Sequence, residues 1–151
     1  MNTGDFTVEF WVYLIVANNY GLIFNIRNST AQYSPLQVYI RGTRAVEFYS
    51  STNGSTNSSL TSSTLVPLST WTHVAVVRYS GTVKIYINGI ADANTLSLTG
   101  SLYLDTTWGN NIGGESGGND LNAYLQDLRV TKGIARYTSN FTPPTTAHKL
   151  R

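Results

Sequence analysis

With 151 residues the chain has the length of one domain, enough to bury roughly two-thirds of its unfolded surface without cross-links. It has no cysteine, which excludes disulfides and thiolate metal sites. Only 12% of residues are charged and the net charge is +2, with Arg41 and Arg44 the densest basic spot, so no nucleic-acid partner is indicated; no apolar run approaches the roughly 20 residues of a membrane-spanning helix, so no membrane insertion is expected.

In chain order, period-two alternation dominates. Met1 to Asp5 have no basic segment leading into an apolar stretch, so no secretory leader is expected, and a strand should follow at once. Phe6, Val8, Phe10 and Val12 share one face of that strand, and Thr7, Glu9, Trp11 and Tyr13 the other. Residues 22–26 form a short apolar run. Residues 36–41 and 45–50 read as a hairpin across Gly42-Thr43, and 71–79 and 82–88 as a second turned at Ser80-Gly81. Asn88-Gly89 is a turn dipeptide. Shorter strands are expected at 102–104 and 111–113, and a last long one at 123–131. Residues 132–137 allow one helical turn at most. Two stretches read as loops: the polar, low-complexity 50–63 and the glycine-rich 108–122. Strands spaced every 8–12 residues indicate an all-β, two-sheet antiparallel sandwich. Its domain is expected to span 1–144, with 145–151 as a tail or linker.

Four stretches carry a resemblance: FTVEFWV at 6–12, WTHVAVVR at 71–78, VKIYING at 83–89 and DLRVTKGIARYTSNFTPP at 127–144. In this order they resemble the laminin-G-like group of concanavalin A-like jelly rolls. The last stretch is similar to modules of phage tail and virion proteins. The family often has glycine before the closing strand and an acidic residue before the aspartate, where this chain has Ala123 and Gln126. The resemblance implies a jelly-roll sandwich that binds carbohydrate or protein surfaces.

Catalysis finds little support. A retaining glycosidase needs two carboxyl groups about 5–5.5 Å apart, whereas Glu9, Glu47 and Glu115 lie on no common strand. Of the two histidines, His73 reads as a structural, hydrogen-bonded residue and His148 falls in the tail. Trp11 and Trp71 read as core, because both lie on strands and are costly to expose.

The glycine-rich loop and its flanks supply the candidate site. Trp108 offers a flat surface for a sugar ring beside Asn110 and Asn111, and Glu115, Asn119 and Asp120 offer hydrogen-bonding groups. Tyr33, Tyr49 and Tyr103 fall at strand ends or loops and join the candidates. Asp105, Glu115 and Asp120 are the candidate ligands for calcium, a hard cation that takes oxygen donors from flexible loops. Asn28, Asn53, Asn57 and Asn140 head N-x-S/T sequons, a number that chance explains in a chain this rich in Asn, Ser and Thr.

The expected function is a non-catalytic recognition module, carbohydrate-binding or adhesive, in a phage virion, tail or other surface protein. The alternative is a structural virion or fibre module that contacts neighbouring subunits and binds no sugar. Expected partners are a glycan or cell-surface receptor and other subunits of an assembly, with a homotrimer the leading oligomer and a virion or extracellular surface the setting.

Overall fold

A computed structural model describes residues 4–26, 33–103, 110–115 and 118–148. These form ten strands and no helix: β1 (Phe6–Val16), β2 (Tyr20–Ile26), β3 (Leu36–Arg41), β4 (Ala45–Ser50), β5 (Ser58–Leu65), β6 (Trp71–Tyr79), β7 (Thr82–Ile87), β8 (Ile90–Ser97), β9 (Asn111–Ile112) and β10 (Asn122–Lys132). They make two antiparallel five-stranded sheets, β10-β1-β6-β7-β8 (sheet I) and β5-β4-β3-β2-β9 (sheet II).

The hydrophobic alternation decides which face of each strand turns inward. Phe6, Val8, Phe10 and Val12 of β1 meet Val74 and Val76 of β6 and Val83, Ile85 and Ile87 of β7 in one core. Val38 and Ile40 of β3 and Val46 and Phe48 of β4 close it from sheet II. Two turns follow their sequence signal. Ser80 and Gly81 have φ of 47° and 78°, and Asn88 and Gly89 have 50° and 79°. Left-handed residues in pairs are what two-residue hairpins joining twisted strands require.

Three expectations change. The polar stretch 50–63 is not all loop, because β5 begins at Ser58. Its inward positions are Leu60 and a serine, Ser62, whose Oγ accepts the Val46 amide at 2.9 Å. A strand with a small polar residue facing in carries too little hydrophobic contrast to show in sequence. Strand β8 was likewise not anticipated. Its Asp92 carboxylate accepts the Ser63 and Thr64 amides and the Ser63 hydroxyl, which ties the edges of the two sheets together. Leu102 and Tyr103 are not in a strand, and Leu104 lies outside the described residues.

The outward face of β1 explains the fate of the C-terminal stretch. Residues 133–148 cross the outside of sheet I as a strap. Its Tyr137 and Phe141 rings stack at 3.5 Å and pack with Ala75, Val77 and Tyr86. Hydrogen bonds pin it, among them Thr7 Oγ1 to the Ile134 carbonyl, the Arg136 amide to Thr7 Oγ1, the Ala91 amide to Asn140 Oδ1, and the Phe141 amide to the Gly89 carbonyl.

Beneath the strap lies Glu9, fully buried. Its carboxylate is held by Arg129 at 2.6 Å and by the Tyr137 hydroxyl at 2.7 Å, with His73 Nε2 at 3.4 Å and Arg136 and His148 within 4.0 Å. Burial by itself would raise the pKa of Glu9. The close approach of the His73 imidazole, the hydrogen bonds from Tyr137 and Arg129, and the charge of Arg129 outweigh that and hold it at about 2 against an ordinary 4.5. His73 is buried, but its ring nitrogens find no hydrogen-bond partner among the described residues, and it is held by packing instead, edge-on to Trp11 at 5.3 Å.

Two outcomes follow from this packing. A Cβ at Gly89 would collide with the Phe141 carbonyl oxygen at a φ of 79°, so Gly89→Ala should loosen the strap and lower the melting temperature. Limited proteolysis should then cut within 133–148 first. A carboxylate with a depressed folded-state pKa stabilises the fold above its unfolded pKa and loses that contribution as pH falls. Stability should therefore drop between about pH 4.5 and 2 through Glu9 and Asp92, both held at about 2. Thermal melts of Glu9→Gln should show a lower plateau near neutral pH and a shallower acid limb, the remainder belonging to Asp92.

Candidate functional site

The outer face of sheet II gathers the polar side chains that alternate with the core. On β3, Gln37, Tyr39 and Arg41 point away from Leu36, Val38 and Ile40. On β4, Glu47 and Tyr49 point away from Val46 and Phe48. Register places Tyr39 opposite Glu47, Gln37 opposite Tyr49, Tyr20 of β2 opposite Arg41, and Thr61 of β5 opposite Glu47.

Three tyrosines form a bent row. Tyr20 and Tyr49 stand edge-on to Tyr39, with centroids 5.8 Å and 6.1 Å away and planes at 80° in both cases. Arg41 lies over the Tyr20 ring at 4.4 Å and donates to Glu47 at 2.6 Å. The hydrogen bond to Glu47 raises the Arg41 pKa further, so its charge is permanent. Burial, with the hydrogen bond to Glu47, pushes the Tyr49 hydroxyl up to about 12, which keeps it a donor at neutral pH. Thr61 Oγ1 occupies the other Glu47 oxygen at 3.1 Å.

Glu115 reaches this face from the glycine-rich loop. Its Oε1 accepts Asn119 Nδ2 at 2.7 Å and the Tyr39 hydroxyl at 3.1 Å, and its Oε2 accepts Asn25 Nδ2 at 2.9 Å. Asn25 is fully buried, and its Oδ1 accepts both the amide and the Nδ2 of Asn111 at 3.0 Å. A carboxylate thus fastens the loop to the tyrosine row. Asp120 lies alongside, where its carbonyl accepts Asn18 Nδ2 and its Oδ1 sits against Gly114.

The candidates from the sequence divide accordingly. Tyr49, Asn111, Glu115 and Asn119 come together on sheet II, with Asp120 next to them. Asn110 is exposed beside β9. Tyr103 bonds through its amide to the Ser51 carbonyl, just past β4. Trp108 and Asp105 lie outside the described residues. No three His, Asp or Glu side chains gather as metal ligands among the described residues, and Glu115 faces amide and hydroxyl donors rather than Asp120. Tyr20, Asn25, Tyr39, Arg41 and Glu47 were not singled out from the sequence. For Tyr39, Arg41 and Glu47 the signal was the outward half of the alternation in β3 and β4, which is tyrosine-rich and charged in a chain poor in charge, whereas Tyr20 and Asn25 lie on β2, where the short apolar run hides them.

Trp71 corrects another expectation. It is 41% exposed, on the outer face of sheet I rather than in the core, and Trp11 beside it is half-buried. Both lie on strands, but strand membership leaves the choice of face open, and both fall on the outward set.

This sandwich defines a class. A laminin-G family profile, described as the concanavalin A-like lectin/glucanases superfamily, matches residues 1–135, and the chain belongs to that superfamily. No curated protein matches it. Among solved structures it is similar to a candidate carbohydrate-binding protein of Bacteroides ovatus, at TM-score 0.71 and 16% identity over 91% of this chain and 39% of that one. It is similar to the binding domain of botulinum neurotoxin serotype D, at TM-score 0.61 and 19% identity over 88% and 34% of the two chains. It is also similar to a heptameric SAP-like pentraxin of Limulus polyphemus, at TM-score 0.54 and 21% identity over 83% and 63%. The chain spans less than two-thirds of each of these structures, and at such identities the likeness establishes the fold alone.

Removing the Glu115 carboxylate should leave buried Asn25 without its acceptor, at a cost of about 1–3 kcal/mol. Glu115→Ala should accordingly lower the melting temperature, and Glu115→Gln, which keeps one acceptor oxygen, should lower it less.

Proposed function

We propose that the chain is a non-catalytic recognition module that binds glycan on the outer face of sheet II. The observation that carries this reading is the row of Tyr20, Tyr39 and Tyr49 set beside the Arg41–Glu47 pair and the Glu115–Asn25–Asn119 cluster. Sugars present apolar ring faces and a rim of hydroxyls. Sites for them pair aromatic surfaces with a few fixed donors and acceptors. Half-buried Tyr49 and Gln37 and the partly exposed Arg41 supply both kinds of surface on one face. Trp108 keeps its proposed role as a further stacking surface, and Asn110, Tyr33 and Tyr103 theirs as candidates at the rim.

The same geometry favours holding a ligand over turning it over. Both oxygens of Glu47 and both of Glu115 accept hydrogen bonds from neighbouring side chains, which fixes their orientation and occupies their lone pairs. The solved relatives lend the reading a context, since one is described as a candidate carbohydrate-binding protein and a structure of botulinum neurotoxin type C is described in terms of interaction with two ganglioside molecules.

The second reading, a structural virion or fibre module, has one observation in its favour. Edge strands β5 and β8 leave Leu65 and Ile90 exposed, a surface suited to a neighbouring subunit. A virion or extracellular setting, and a homotrimer as the assembly, remain part of the proposal.

Glycan-array binding, with and without calcium, tests the first reading against the second. Tyr49→Ala should lower affinity about two- to tenfold, because a stacked aromatic contributes roughly 0.5–1.5 kcal/mol beyond its buried area, while the melting temperature changes little. Glycan binding that survives Tyr49→Ala and Arg41→Ala together would remove sheet II from consideration. Absence of any glycan signal, with trimers seen by light scattering, would favour the structural module.

A further inference from the structure

We propose that the outer face of sheet I carries a second ligand site, a stacking pocket for one neutral pyranose unit formed by Trp11, Trp71, Gln126 and Asp127. This site lies on the opposite side of the sandwich from the tyrosine row and stands independently of the reading given for sheet II.

The first observation is an aromatic row in register. Tyr13 of β1 pairs with Tyr124 of β10 on one side and Trp71 of β6 on the other. The ring centroids are 6.0 Å and 5.7 Å apart. Tyr124 is 62% exposed and Trp71 41%, so the row is a surface and not a core layer. The strap that covers Ala75, Val77 and Tyr86 leaves this row open. Large aromatic surface left in water by a fold that covers the same sheet a few residues away marks a place where something binds.

The second observation is an open cavity of about 300 Å³ beside the row, lined by Trp11, Trp71, Gln126 and Asp127 and bordered by the strap at Pro144 and Thr145. That volume is at the small end of small-molecule sites, which run from roughly 300 to 1,000 Å³, and suits a ligand of one or two rings. Trp11 packs beside its cross-strand neighbour His73, edge-on at 5.3 Å.

The third observation is the backbone lining the cavity. Trp11 pairs with Gln126 and Glu9 with Arg129, so β10 bulges between them. Asp127 sits in this bulge with a φ of 51°, a conformation that non-glycine residues adopt at a cost. Bulges re-aim side chains, and this one brings a carboxylate and an amide to the edge of two indole rings. Flat apolar walls with one carboxylate and one amide fit a sugar, whose ring face stacks while its hydroxyls donate to Asp127 and exchange hydrogen bonds with Gln126. Among the described residues Asp127 is the only charged group lining the cavity, so neutral sugars fit and anionic ones are repelled.

The indole Nε1–H resonances of Trp11 and Trp71 in the full chain provide the readout. The probes are the methyl α- and β-pyranosides of glucose, galactose, mannose and N-acetylglucosamine, with methyl N-acetylneuraminoside as the anionic control, each titrated to millimolar concentration. At least one neutral glycoside should move both resonances saturably, and the anionic control should move neither. Trp71→Ala should abolish the response seen at Trp11, and Gln126→Ala, a change at an exposed position, should weaken it several-fold with the fold intact. Tyr49→Ala should leave it unchanged, which separates this site from the one on sheet II. The proposal is overturned if no neutral glycoside moves the two resonances, if the response survives Trp71→Ala, or if the anionic sugar binds instead. It is also overturned if the resonances shift on dilution and not with sugar, since the row would then be a contact between copies of the chain.

Discussion

A carboxylate buried without charge compensation would be expensive enough to undo a domain of this size. Glu9 is that carboxylate, and much of the outer architecture of sheet I is arranged around it. Arg129 comes from the neighbouring strand β10, His73 from β6 on the other side, and Tyr137, Arg136 and His148 from the strap above. The charge therefore gathers both strands that flank β1 and the strap. Leaving any one partner out would expose the carboxylate to water or leave it less compensated. The aromatic packing of Tyr137 and Phe141 covers the neighbouring apolar patch, so charge and hydrophobic burial favour the same closed arrangement.

That closure makes the two faces of the sandwich different. Sheet I is partly roofed, and its remaining open part is the aromatic row and cavity next to Trp71. Sheet II carries no such strap among the described residues. Its outer face is instead organised from its edge, where Glu115 draws the glycine-rich loop onto Asn25 and Tyr39. In each sheet a glutamate plays a comparable part, with an important difference. Glu9 is sealed and serves the fold. Glu115 is half-buried at the border of an open face, where the donors that hold it also set the position of the tyrosine rings.

Few charges and a polar surface are consistent with this division of labour. A chain that carries eight Asp and Glu in all spends two glutamates, Glu9 and Glu115, on fastening connections, and a third, Glu47, on orienting Arg41 over Tyr20. Asp92 does the same at the opposite edge by joining β5 to β8. Electrostatics here act locally, through short hydrogen bonds in partly dry places, where they are strongest. Long-range attraction of a charged partner is not what this composition provides.

The sequence by itself determined the all-β sandwich, its inward residues and its hairpin turns. Alternation in FTVEFWV and VKIYING assigns faces directly, and Ser80-Gly81 and Asn88-Gly89 state their turns in residues that tolerate positive φ. It also placed Asn111, Glu115 and Asn119 among the candidates, because amides and carboxylates cluster in one glycine-rich stretch, and Tyr49, because it falls at a strand end. It could not show β5, whose inward Ser62 erases the contrast that marks a strand, nor that Trp71 faces water, since periodicity separates two faces without saying which neighbour covers the outer one. Only the tertiary structure decided that. Glu9 and Tyr137 are 128 positions apart, and Asn25 and Glu115 are 90 apart. Contacts at such separations depend on how two sheets and a strap pack together, and no local pattern of residues encodes them.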